Sequence, residues 1–278
     1  MSSRDILFVV EAAATVHFRL ASAAALASRL KARLSGLFAT GYPIASAYGD
    51  VGGWMQIVDA YLAAQRREAD EAEASFRQEL ARAQLDGDWL YHETDLTRGV
   101  VDLARLYDLI VINQHDPDAA SRGAPALRPE EVVLASGRPV LILPYAGEFG
   151  DVGRRVLVAW NGSREATRAL HDSLFLIDGA EAVTVVEIDA APADERTLAY
   201  GAEKVAEFLS RRGLPAQGES MSSADVPVPD LILSRAADLG ADLVVMGAYG
   251  HSRMREWVLG GASRGVFQTM TVPVLMAH

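Results

Sequence analysis

The sequence predicts two doubly wound α/β domains in tandem, each built on a parallel sheet of five strands. Short continuous apolar runs alternate with longer alanine-rich amphipathic stretches, the pattern of parallel strands covered by helices on both faces. The pattern occurs twice, since Arg4-Asp5-Ile6-Leu7-Phe8-Val9-Val10-Glu11 is echoed 150 residues later by Arg154-Arg155-Val156-Leu157-Val158-Ala159-Trp160-Asn161. The ends of the halves also echo each other, at a constant spacing of 134 residues: Asp108-Leu109-Ile110-Val111 with Asp242-Leu243-Val244-Val245, and Pro139-Val140-Leu141 with Pro273-Val274-Leu275. A fixed spacing over so long a stretch means that loop and helix between those strands have equal length in both copies.

In chain order, the first half places strands near 5–10, 35–40, 88–93, 108–112 and 139–143, with helices over 18–32 and 54–85 among them. The second half places strands near 155–160, 182–188, 216–220, 242–246 and 272–276, with helices over 165–175 and 197–212. The two spacings differ by 16 residues, which the long helix of the first half absorbs. Three glycines within 145–153 mark a loop, so the domains are expected at 1–146 and 153–278.

Composition narrows the chemistry. The chain has 278 residues, 50% of them hydrophobic and 23% charged, with a net charge of −11. It can bury a core, and without a basic stripe it is a poor partner for nucleic acid or an anionic membrane. No apolar run reaches the ~20 residues of a bilayer span. The apolar run at 6–10 is too short for a secretion signal, so a cytoplasmic location is expected. The absence of cysteine removes disulfides, thiol catalysis and thiolate metal sites. His17, His92, His115, His171, His251 and His278 include no pair at the spacing of a helical zinc site, and no Gly-x-Ser-x-Gly elbow is present, so no catalytic or metal-binding residue is assigned.

The segment after the fourth strand of the second half stands apart. Met246 leads into Gly247-Ala248-Tyr249-Gly250-His251-Ser252-Arg253, and Gly260-Gly261 then opens a helix at about Ala262. In open parallel sheets ligands sit beyond the carboxyl ends of the strands. A glycine-rich helix start presents backbone N–H groups and a positive dipole end to an anion. The Ser263 hydroxyl adds a donor, and His251 and Arg253 are candidates for phosphate contact. The pattern is neither a Walker A loop nor a dinucleotide Gly-x-Gly-x-x-Gly.

These residues resemble the universal stress protein family, whose ATP-binding members carry Gly-x2-Gly-x9-Gly-Ser/Thr after strand four. Here Gly247, Gly250 and Gly260 keep that spacing, with matching Val-Met-Gly and Pro-Val-Leu flanks. Two positions depart from the family pattern: Gly261 stands at the Ser/Thr, with Ser263 two residues on, and Asn161 stands at the acidic residue that contacts adenine. The resemblance implies a strand order of 3-2-1-4-5. It implies a base pocket lined by Ala159, Trp160 and Val186, and ATP, ADP or AMP as ligand with Mg2+ as a companion. It also implies a role in stress response or regulation. Family members commonly dimerise through their fifth strands. The two halves are therefore expected to form an internal pseudo-dimer through antiparallel pairing of the runs at 140–143 and 274–277, with whole-chain homodimers a further expectation.

The first half tests the assignment. Asn113, Asp116, Ala126 and Leu127 stand where the second half has Gly247, Gly250, Gly260 and Gly261, and Glu11 stands at the position of Asn161. The loop keeps its length and loses its phosphate chemistry, so the first half reads as a copy without nucleotide. With no general base or nucleophile placed for turnover, any ATP hydrolysis is expected to be slow. The competing readings are an adenylyl-transfer or pyrophosphate-cleaving enzyme on a related scaffold, and a ligand-free interaction protein.

Overall fold

The computed structural model describes residues 4–10, 16–40, 54–114, 127–189, 201–224, 226–248 and 261–278. The chain divides into two compact units, Met1–Ser136 and Gly137–His278.

The first unit runs β1 (Asp5–Val10), α1 (Val16–Leu30), β2 (Arg33–Thr40), α2 (Trp54–Ala83), β3 (Trp89–Glu93), α3 (Leu96–Ala104), β4 (Leu109–Asn113) and α4 (Pro129–Ala135). Its strands lie in the order β3-β2-β1-β4, and the pairs β1–β2, β1–β4 and β2–β3 are parallel. Ile6 to Val10 are all buried, as a central strand covered on both faces requires. The long helix expected at 54–85 is α2, with 30 residues against the 9 of its counterpart in the second unit.

The second unit contains β5 (Val140–Leu143), β6 (Arg155–Trp160), α5 (Arg164–Ser173), β7 (Ala182–Ile188), α6 (Ala202–Ser210), β8 (Ala216–Met221), α7 (Val228–Asp238), β9 (Leu243–Gly247), α8 (Gly261–Thr269) and β10 (Val274–Ala277). Its order β5-β10-β9-β6-β7-β8 contains the expected 3-2-1-4-5 arrangement, read from β8 to β10. The pairs β6–β7, β7–β8, β6–β9 and β9–β10 are parallel, whereas β5 and β10 pair antiparallel with Leu141 opposite Leu275. The fifth strands thus meet as expected. The two compact units divide at Ser136–Gly137, ahead of the glycine-rich loop at 145–153.

The repeated aspartate has a structural explanation in both copies. Asp242 accepts the N–H groups of Gly153, Arg154 and Arg155 at 2.6–3.1 Å, and Asp108 accepts the N–H of Asp5 at 3.0 Å. Each carboxylate ties the start of the fourth strand to the entry of the first. Burial pushes the Asp242 carboxyl up, against the pull of those N–H donors.

Helices cover the two faces of the second sheet in pairs. A Cβ at Gly218 on β8 would fall 2.5 Å from Glu203 N, so that face packs on the start of α6. On the opposite face Glu219 of β8 holds Arg235 of α7 through contacts of 2.9–3.1 Å. Helices α7 and α8 meet closely: a Cβ at Gly265 would lie 2.5 Å from Pro229 Cγ.

Candidate functional site

The carboxyl end of β6 turns directly into α5. Asn161 Oδ1 accepts the N–H of Ser163 at 3.1 Å, Gly162 adopts φ +72° between them, and the buried Ser163 hydroxyl accepts the N–H of Ala166 at 3.0 Å. The Asn161 amide therefore shapes the turn, and the Ser163 hydroxyl caps the helix. Sequence reasoning assigned Asn161 to base recognition and missed this second task, although the triplet Asn-Gly-Ser ahead of a helical stretch carries the signal.

Strand register decides which candidate residues can act together. Ala159 pairs with Val186 on one side and with Met246 on the other, so these three residues form one row on one face of the sheet. Val186 and Met246 are buried, and Ala159 between them is only half-buried. Trp160 pairs with Glu187 and lies on the opposite face. There Glu187 Oε2 accepts the N–H of Ala202 at the start of α6, at 3.3 Å. The expected base pocket is thus split by the alternation of the strand: Ala159, Val186 and Met246 come together, and Trp160 is buried on the opposite face.

Gly247 has a role that spacing did not show. A Cβ there would fall 2.4 Å from Ala166 N and 2.5 Å from Glu165 C, so the end of β9 abuts the backbone of the first turn of α5. Glycine is required at this position for a close approach and not for a positive φ. The neighbouring Glu165 is buried, with Oε1 3.4 Å from Arg164 Nε and no hydrogen-bond partner at Oε2. Burial pushes its carboxyl up, but its own backbone N–H, the Ser163 hydroxyl, Arg164 and His278 outweigh that and hold it below the ordinary carboxylate value. A depressed carboxylate stabilises the fold above its unfolded value, and this contribution is lost as pH falls through the folded value. Glu165→Gln should therefore lose less stability than the parent between about pH 5 and pH 3, read as denaturant midpoints across that range. Parallel pH profiles would contradict this.

Helix α8 begins at Gly261, with Ala262 and the buried Ser263 in its first turn, where the glycine pair placed a helix start. Its first backbone N–H groups have no carbonyl within the helix to bond. Gly250, His251, Arg253 and Gly260 lie outside the described residues, as do Glu11, Asp116 and Ala126 of the first half. Of the counterparts that are described, Asn113 and Leu127 are buried, and Asn113 Oδ1 has no hydrogen-bond partner. Among the described residues no group of His, Asp and Glu could hold a metal ion, and no helix is long and apolar enough to cross a membrane.

Comparison with known proteins agrees with this architecture. Residues 153–278 match the model of the Universal stress protein family. The universal stress protein Slr1230 of Synechocystis is 26% identical over 208 residues, covering 73% of this chain and 69% of that protein. Among solved structures, a universal stress protein from Archaeoglobus fulgidus superposes with a TM-score of 0.74 at 16% identity, over 100% of this chain and 99% of its own. A putative universal stress protein from Pseudomonas aeruginosa gives 0.63 at 19% identity, over 99% and 93%. At those identities the structures show the fold. The family match itself covers residues 153–278, so it is the second half of the chain that is similar to the universal stress protein family.

Proposed function

We propose that the second unit binds an adenine nucleotide, with ATP, ADP and AMP the candidates, at the carboxyl ends of β6 and β9, and that the chain acts in stress response or regulation through that ligand. The observation that carries this reading is the row Val186–Ala159–Met246. It presents a small, half-buried residue between two apolar ones on a single face, beside the strand that leads into the glycine spacing. An adenine ring needs such an apolar floor. The start of α8 offers backbone donors to the phosphates, and Ser263 in its first turn adds a hydroxyl. Asn161 commits Oδ1 to the turn, so its amide N–H is the group it offers to a ring nitrogen.

Mg2+ would arrive with the phosphates, since magnesium at such sites is held chiefly by phosphate oxygens and water. In this reading the nucleotide is a bound signal, and any hydrolysis is slow. Calorimetric titration with ATP should give about one site per chain, because only the second unit keeps the glycine positions at a helix start. Two equivalent sites per chain would contradict this. Release of an adenine nucleotide on denaturing the purified protein would identify the bound species.

A further inference from the structure

We propose that His278 is a positioning residue of the nucleotide site, holding in place the point where the glycine loop leaves the sheet. This rests on the nucleotide reading above and extends it to a residue that the glycine spacing does not include. Ala248, the first residue after β9, is fully buried, so both its backbone polar groups require partners. Its N–H donates to the Ala277 carbonyl at 2.9 Å. Its carbonyl lies 3.0 Å from Nδ1 of His278. A carbonyl can only accept, so Nδ1 carries the proton in this contact.

The preceding residue is held from another side. Gly247 abuts the first turn of α5, where a Cβ would meet Ala166 N at 2.4 Å. The two residues that launch the loop are therefore fixed by α5 on one flank and by the end of β10 on the other. Of these restraints, the His278 contact is the one made by a side chain, and so the one a substitution can remove alone. Loss of the ring removes that donor from a buried carbonyl and loosens Ala248 at the end of β9. The ligand must then pay the entropy of fixing this end of the strand again.

The experiment compares the full-length parent with His278→Ala and His278→Asn. An Asn amide N–H occupies nearly the place of Nδ1–H and can donate to the same carbonyl, whereas Ala cannot. Two quantities are read at a temperature where all three proteins are folded: hydrogen exchange of the peptide spanning 243–248, whose Ala248 N–H donates to the Ala277 carbonyl, and the dissociation constant for ATP. His278→Ala should raise exchange in that peptide and weaken ATP by about tenfold, the equivalent of one lost buried hydrogen bond. His278→Asn should restore both. A role in stability alone would not be rescued in exchange and affinity together while the unfolding temperatures of the two variants stayed alike. Unchanged exchange in His278→Ala overturns the proposal, and so does raised exchange with parental affinity. If the parent itself fails to bind ATP, the nucleotide reading falls. The exchange result then still decides whether His278 anchors Ala248 at the end of β9.

Discussion

Gly247→Ala should destabilise the second unit by about 3 kcal/mol or more, a drop of roughly 10 °C in its unfolding temperature. The added Cβ would lie 2.4 Å from Ala166 N, 2.5 Å from Glu165 C and 2.9 Å from Ala166 Cα, and all three are backbone atoms. A flexible side chain could swing away from such a clash, but the first turn of a helix cannot move without losing its cap. Here that cap is the Ser163 hydroxyl on Ala166 N–H. The equivalent position in the first half makes the contrast. Asn113 already carries a Cβ, and its buried Oδ1 has no hydrogen-bond partner. Asn113→Ala removes an unsatisfied acceptor, so it should change stability by less than about 1 kcal/mol, in the stabilising direction. Thermal unfolding of both variants, with hydrogen exchange to assign each change to its half, checks the pair. A parental unfolding temperature for Gly247→Ala would mean that β9 and α5 do not approach as closely as described.

This contrast shows what the sequence made legible and what it hid. The constant spacing between the ends of the halves located β4 against β9 and β5 against β10, because an equal loop and helix between two strands leaves little freedom in their placement. The meeting of the fifth strands was legible from two short apolar runs only together with the edge position and the dimer pairing that the family resemblance implies. The repeated aspartate was visible as an echo, but its work of gathering N–H groups at Gly153, Arg154 and Arg155 depends on atoms nearly 90 residues away. Gly247 was legible as a glycine at the right spacing, and its approach to α5 was not, because a spacing pattern holds no information on backbone from another element. Gly218 against α6 and Gly265 against Pro229 were hidden for the same reason. Trp160 is a different case. Adjacent residues of a strand face opposite ways, so its separation from Ala159 follows from a period of two that the sequence already contained.

Gly260→Asp should abolish nucleotide binding and leave the fold intact. Gly260 immediately precedes the first residue of α8, the place from which a side-chain carboxylate satisfies unpaired N–H groups and complements the positive end of the helix. For the protein without ligand, aspartate is therefore a favourable neighbour, and the unfolding temperature should stay the same or rise. For a phosphate the same carboxylate is a competitor for the same donors and a like charge at close range. Like-charge opposition of several kcal/mol weakens binding by about 100-fold or more. The two effects have one cause and opposite signs, which separates this substitution from ordinary damage to the fold. Ala126→Asp, at the corresponding position of the first half, should leave ATP binding at its parental value. Calorimetric titration and thermal unfolding of both variants decide the matter, and full affinity in a folded Gly260→Asp protein would remove the start of α8 from the phosphate site.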